Sequence, residues 1–226
     1  MNILIIAAHP DDEVLGCGGV MAKLSSEGHD VHVLILGEGV TARKNLNDEQ
    51  KITKLSELHD QSKKASDLLG VNSVRFENFP DNQFDTVSLL SITQKIESVL
   101  NDIQPSMVFC QHGGDLNIDH QITFKATLTA TRPMMGSVVN KLLAYEVMSS
   151  TEWAFQQFEP SFKPNCFYDI ENVIDKKIEA MKIYKDELCD FPHPRSVENL
   201  LASSKRWGSN IGCQNAEAFQ IIFERN

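Results

Sequence analysis

The sequence predicts an open α/β fold: a mostly parallel sheet with helices on both faces. Three observations predict it. Apolar runs of strand length alternate with longer amphipathic stretches along the whole chain, as in successive βα units. The first run, Ile3-Leu4-Ile5-Ile6, is apolar at every position, the pattern of a parallel strand covered on both sides. Polar clusters follow several of the strand-like runs, at the sheet edge where open α/β folds collect their binding sites. At 226 residues the chain suits one domain over 1–226, with an irregular α/β elaboration from about residue 160 onward.

The elements follow in order. Asn2 to Ala8 is the opening strand, and Val14 to Leu24 is a helix despite three glycines, which would let it pack closely on the sheet or on the preceding turn. Gly28 ends that helix, and Val31 to Leu36 is the second strand of a βαβ unit. A loop from Gly37 to Asn47 leads into a long amphipathic helix from about Asp48 to Leu69, stopped by Gly70. Val74-Arg75-Phe76 is a short strand with a turn at Phe79 to Asn82; residues 87 to 103 are helical up to Pro105. Ser106 to Cys110 is a fourth strand, and the polar loop 111–120 carries the chain into a helix from about Asp119 to Thr131. Lys141 to Val147 is a fifth strand. Beyond it the pattern is less regular: a strand at Cys166 to Ile170, a helix from Asn172 to Leu188, a proline-fixed loop at 191–196, a helix from Val197 to Arg206 and a last strand at Ala218 to Phe223.

Composition narrows the function classes. A net charge of −10 argues against a nucleic-acid surface, which shows as a basic excess. The apolar N-terminal run lacks a basic leader and is too short to span a bilayer, and no later stretch reaches that length without charge. Five scattered cysteines with no CxxC pair suit a reducing compartment, so a cytoplasmic protein is expected.

Chemistry concentrates in His9-Pro10-Asp11-Asp12-Glu13, between the first strand and its helix. One carboxylate there is explained by helix capping; a His, two Asp and a Glu together are not. His9 and Asp12 stand three apart and can face one cation, and His120, beyond the fourth strand at the same edge, is the best third ligand. Two imidazoles and a carboxylate with open positions describe a catalytic zinc site and suit iron(II) as well. Asp11, next to the ligand Asp12, is placed to take a proton from an attacking water. Glu13 either orients a metal ligand from behind or is an ordinary first-turn acid, and Asp119 either orients a neighbour or caps its helix.

The run Ala8-His9-Pro10-Asp11-Asp12-Glu13, with Gly16-x-Gly18-Gly19 behind it and Asp119-His120 downstream, closely resembles the PIG-L/LmbE-like de-N-acetylase family. That family includes deacetylases of glucosaminyl phosphatidylinositol, mycothiol and bacillithiol synthesis. The resemblance implies a Rossmann-like fold and zinc-dependent hydrolysis of an N-acetyl group on an amino sugar. By motif it assigns His9, Asp12 and His120 to the metal and Asp11 to the general base. By position it makes Arg43 a substrate-binding residue. Where many members carry a second His, this chain has Asn117, whose amide can donate to a developing oxyanion but cannot shuttle a proton. His112 and His193 are therefore candidates to protonate the leaving amine, alongside Asp11. Arg195 either grips a phosphate or carboxylate of the substrate or makes a surface ion pair.

The expectation is a zinc-dependent (iron(II) also suitable) N-deacetylase acting on a small amino-sugar derivative such as a nucleotide sugar, a glycoside or a polysaccharide precursor. It needs no nucleic acid and no membrane span, and homo-oligomers are usual for such enzymes. The alternatives are an amidase of a thiol conjugate or other non-sugar amide, and a non-catalytic metal- or sugar-binding protein.

Overall fold

The computed structural model describes residues 1–40 and 47–225. Its strands are β1 (Asn2–Ala7), β2 (Asp30–Gly37), β3 (Ser73–Phe79), β4 (Met107–Gln111), β5 (Lys141–Tyr145), β6 (Cys166–Asp169) and β7 (Ala216–Glu224). They form one sheet in the order β3-β2-β1-β4-β5-β7-β6. The first five run parallel; β7 is antiparallel to both β5 and β6. The helices are α1 (Asp12–Ser26), α2 (Asp48–Leu69), α3 (Leu89–Ile103), α4 (Ile118–Ala130), α5 (Ile174–Ile183) and α6 (Val197–Ile211).

The continuous apolar run of β1 is used on both faces. Ile3, Ile5 and Ala7 share a core with Val14, Cys17 and Met21 of α1 and Ile178 and Met181 of α5. Their alternate neighbours Leu4, Ile6 and Ala8 join Ile92, Ile96 and Val99 of α3. Cys17 and Cys110 are fully buried in these two cores.

Two boundaries differ from the sequence expectation by five residues, and the others by three or fewer. α5 stops at Ile183, five residues before Leu188, because Tyr184 turns its buried phenol toward Glu13 and donates to its carboxylate. The residues that follow are thereby freed to loop toward the first turn. α6 runs past Arg206 to Ile211, where Gly212 at φ 79° takes the left-handed cap conformation. The C-terminal elaboration, β6 through β7, completes the sheet.

The glycines of α1 answer a close approach. A Cβ on Gly16 would overlap the ring of Tyr145 in β5, and one on Gly19 would reach 2.7 Å from Ile170. Behind the same turn of helix, Lys177 Nζ donates to Leu15 O at 2.8 Å and to Glu217 Oε1 at 2.6 Å. Glu217 in turn accepts the N–H groups of Gly19 and Val20 at 2.8 and 2.7 Å. In a regular helix Gly19 N–H bonds Leu15 C=O, so this buried ion pair meets both ends of one rung from outside.

The order reverses between β1 and β4, which both continue into turns at the same edge. Such a switch point opens a crevice beyond the strand ends. His9 to Asp12 leave β1 there, and 112–120 leave β4.

Candidate metal centre and cleft

His9, Asp12 and His120 bring one ligand atom each within 4.8 Å of one another. The two histidines are set in the same way. His9 Nε2 lies 2.9 Å from Asp119 Oδ2, while its Nδ1 faces Asp12 Oδ2 at 3.4 Å. His120 Nδ1 lies 3.1 Å from Asp115 Oδ1, while its Nε2 faces Asp12 Oδ2 at 3.3 Å. A carboxylate on the outer nitrogen makes that nitrogen the N–H donor and leaves the inner one a lone pair for a cation. Asp12 Oδ2 accepts from His9 N at 2.9 Å and Gln111 Nε2 at 2.8 Å. Asp12 Oδ1 is buried with no hydrogen-bond partner among the described residues. An orphaned anionic oxygen is costly unless something positive takes it. The residues thus fit a divalent cation, and the set suits zinc and iron(II) alike.

The two supporting acids are themselves fixed. Asp119 accepts from Asn82 N at 2.7 Å and Phe84 N at 2.9 Å. It is not the cap of α4: that is Asn117, whose Oδ1 accepts from Asp119 N at 2.8 Å. Asp115 accepts from the hydroxyl of Thr151 at 2.7 Å and from that of Ser150. A second grouping of His9, Asp81 and Asp119 also has ligand-type atoms close together. There Asp119 already serves two backbone N–H groups and His9 Nε2, which marks it as support for the first site.

Charge follows this geometry. Without a cation, burial works against a proton on His9, but Asp119 and Asp12 outweigh it and hold the imidazole up at about 10. Burial likewise opposes charge on His120, and Asp12 and Asp115 raise it to about 9. Burial pushes Asp12 upward, yet His120 and His9 bring it below the usual carboxylate range. With no cation bound the acids favour a proton on each imidazole, so binding a cation there releases protons.

Asp11 is 2 % exposed and sits at the N-cap of α1, but its side chain makes no cap bond. Its φ of 109° is outside the range non-glycine residues favour. The backbone N–H that this conformation presents donates to Glu13 Oε2 at 3.0 Å. Glu13, an acid of the first turn of α1, therefore braces the backbone of Asp11. Burial raises Glu13 to about 7, against the stabilising Tyr184 hydroxyl. Burial also pushes Asp11 well above the ordinary carboxylate value, with Arg195 opposing and Asp12, Glu187 and Glu13 adding to the rise.

Arg195 comes from the 191–196 loop into the cleft. Its Nη1 donates to Asp11 Oδ2 at 2.7 Å and to Glu187 Oε2 at 3.3 Å, and its Nε to Ser149 Oγ at 2.7 Å. It is an ion pair of the site, not of the surface. The cleft, of about 310 Å³, is lined by His9, Asp11, Asp81, Asn82, Asn117, Glu187 and Arg195 among others. Asn117 Nδ2 donates to Asn82 Oδ1 at 3.2 Å.

Two predicted residues stand apart. His112 does not line this cleft: its ring packs against Phe162 and Phe124, and its Nδ1 accepts from Gly114 N at 3.0 Å. His193 accepts Arg195 N at 3.1 Å on Nδ1 and meets the ring of Trp153 edge-on. Arg43 lies outside the described residues. Sequence reasoning missed Asp115, Gln111, Ser150, Thr151 and Glu187 as parts of the site. Asp115 and Gln111 left a signal, in the polar loop that carries His120. No helix among the described residues is long and apolar enough to cross a membrane.

Comparison with known proteins adds four findings. The family model described as PIG-L, GlcNAc-PI de-N-acetylase, matches residues 4–131. The uncharacterized deacetylase YaiS of Escherichia coli is 28% identical over 81% of this chain and 90% of its own. A 4-oxalmesaconate hydratase of Pseudomonas putida is 26% identical over 99% of this chain and 90% of its own. Among solved structures, the N,N'-diacetylchitobiose deacetylase of Pyrococcus horikoshii superposes with a TM-score of 0.79 at 20% identity, over 98% of this chain and 83% of that one.

Proposed function

The chain belongs to the PIG-L family of GlcNAc-PI de-N-acetylases, and from that premise we propose that it hydrolyses the N-acetyl group of an amino-sugar derivative. The observation that carries this reading is Asp11, a buried carboxylate turned out of its capping role into the cleft beside a complete ligand set. A binding protein needs the ligands but no such neighbour. His9, Asp12 and His120 would hold the cation, zinc or iron(II), which when bound supplies Lewis acidity to the acetyl carbonyl and to water.

This chain's own groups do the rest. Asp11 takes a proton from the attacking water as the water oxygen bonds to the carbonyl carbon. Asn117 exchanges its 3.2 Å bond to Asn82 for a charge-assisted one to the developing oxyanion. The C–N bond then breaks, and the nitrogen leaves with the proton that Asp11 returns. Asp11 has this part because neither His112 nor His193 lines the cleft. Arg195 keeps the Asp11 carboxylate aimed during both transfers. Arg43, which follows β2 in the sequence, is assigned to substrate contact.

The test is acetate release from a panel of N-acetylated amino sugars by cation-loaded protein, with Asp11→Asn as control. The variant is expected to lose about 10²–10⁴-fold in kcat. No acetate from any member of the panel, or an unchanged Asp11→Asn enzyme, overturns the reading. The Pseudomonas relative favours one second reading, hydration of an unsaturated acid, which would consume its substrate without releasing acetate.

A further inference from the structure

We propose that a second cavity, distinct from the cleft and walled by Glu146, Trp207 and Phe155, binds a small organic ammonium ion with an apolar body. This site does not depend on the reading of the cleft.

The cavity holds about 360 Å³, in the range of small-ligand sites, and has no lining residue in common with the cleft. Thr151 stands between the two: it lines the cavity, and its hydroxyl donates to Asp115, the acid beside His120. Glu146 comes directly after β5, Arg206 and Trp207 come from α6, and Phe155 follows the short 3-10 turn Glu152–Ala154. Glu146 and Trp207 also line a small cavity of about 20 Å³ with Lys177 and Glu217, so they stand at the inner end of the larger one.

Glu146 is the group that a ligand would complete. Its carboxylate accepts the Trp207 Nε1–H at 2.7 Å, and it takes part in no ion pair among the described residues. Burial lifts its carboxyl above the ordinary value and Glu152 adds to the rise, against the Trp207 bond, Arg206 and Lys177. A buried carboxylate served by one neutral donor is poorly compensated, and an ammonium brought to it makes a charge-assisted bond.

Charge sets the sign of the ligand. Glu146 and Glu152 line the cavity against one cation, Arg206, whose guanidinium carbon lies 4.5 Å from the centre of the Trp207 ring. The balance is one negative charge, which favours a monocation. The aromatic walls set its body. Phe155 lines the cavity and is 72% exposed, so its ring has surface free for a ligand. Phe155 and Gln156 both take left-handed backbone, at φ 48° and 56°, a strained conformation that gathers at ligand clamps. Phe162, edge-on to His112 with ring centres 5.3 Å apart, is a fixed wall. A hydrated inorganic cation gains little from these rings, whereas an ammonium on an apolar body meets both the acid and the rings.

Isothermal titration of zinc-loaded protein with benzylammonium tests the site. Wild type is expected to bind it with Kd on the order of 1 mM or tighter, and neutral benzyl alcohol at least about tenfold more weakly. Glu146→Gln keeps an acceptor for the Trp207 N–H but removes the charge, and should weaken benzylammonium about tenfold or more. Phe155→Ala, at an exposed position, should weaken it about fivefold with an unchanged melting temperature, and it decides alone if Glu146→Gln melts lower. Glu187→Gln, a change in the cleft, should leave the affinity as it is. No heat from benzylammonium, equal affinity for the alcohol, or a loss in Glu187→Gln without one in Glu146→Gln overturns the proposal. So does an affinity that none of the variants changes, which would put the amine on the bound zinc.

Discussion

Removing Glu217 should cost this protein about 3–5 kcal/mol although the residue lies far along the sequence from the ligand turn. Its carboxylate and the Lys177 ammonium are 5% and 7% exposed and 2.6 Å apart. Glu217→Ala leaves that ammonium buried with only the Leu15 carbonyl, and it strips the N–H groups of Gly19 and Val20 of a charged acceptor. Breaking a buried pair on one side accounts for most of the loss, and the two backbone bonds push toward the upper end. Lys177→Met leaves Glu217 charged, but still held by two N–H groups, so it should cost less than Glu217→Ala. A domain stable by about 10 kcal/mol survives either change, with the melting temperature lowered by up to roughly 6–20 °C. Urea unfolding of chelator-treated protein, followed by circular dichroism, gives the difference without a contribution from bound cation. The double variant should cost less than the sum of the singles, because removing both charges leaves neither stranded. A Glu217→Ala loss below about 1 kcal/mol would refute the claim that the pair supports α1. Since α1 begins at Asp12, the same variant should also weaken cation binding.

Other outcomes follow from the same contacts. Asp119→Ala and Asp115→Ala should each weaken zinc binding by about 10–100-fold in a competition titration, since each frees the outer nitrogen of a ligand histidine; an unchanged affinity would remove these acids from the site. Gly16→Ala should destabilise by about 1–3 kcal/mol, because the added methyl overlaps the buried Tyr145 ring, and a neutral result in urea unfolding would show that the helix can shift. The chelator-treated protein should melt at lower temperature as pH rises from about 6.5 to about 10. His9 and His120 have folded values raised to about 10 and about 9, so their contribution is complete below the ordinary 6.5 and is lost as each deprotonates. Zinc-loaded protein should not follow that fall, because the cation takes the place of both protons; a flat curve for the chelated protein would contradict the assignment.

What the sequence revealed and what it withheld divide along local and distant contacts. β1, α1 and the acidic turn were legible because apolar runs, glycine spacing and a dense polar pentad are properties of neighbouring residues. The convergence of 81, 111–120 and the first turn at one edge also followed, from the rule that open parallel sheets keep their sites beyond the strand ends. The antiparallel β7 was legible as a strand but not in direction, since an apolar run carries no sign of orientation. The long-range pairings that support the site were not legible: Arg195 meets Asp11 across 184 positions, and Tyr184 meets Glu13 across 171. Glu187 was read as the end of a helix, and only the break at Tyr184 turns it toward the cleft. His112 had the right kind of side chain in the right loop, yet Phe124 and Phe162 draw its ring into an aromatic pocket.

The acidic turn itself shows which demand prevails when stability and chemistry conflict. An aspartate at the N-cap of a helix ordinarily folds its oxygen back onto a free backbone N–H, a bond worth about 1 kcal/mol. Asp11 occupies the cap and makes no such bond, and its backbone sits at φ 109°, a conformation that costs on the order of 1–3 kcal/mol. Both losses are local, so something outside the turn must hold it there. Glu13 accepts the displaced N–H, Tyr184 fixes Glu13, and Arg195 draws the carboxylate the other way. A residue needed only to start the helix would relax into the cap once Arg195 was removed, and nothing would be lost. Arg195→Ala leaves the Asp11 carboxylate, 3% exposed, without its charged partner, so it should cost on the order of 1–3 kcal/mol, and it should lower kcat for acetate release by about tenfold or more through a misdirected base. Loss of stability with unchanged kcat would mean that the pair serves the fold and that Asp11 is aimed by its backbone alone.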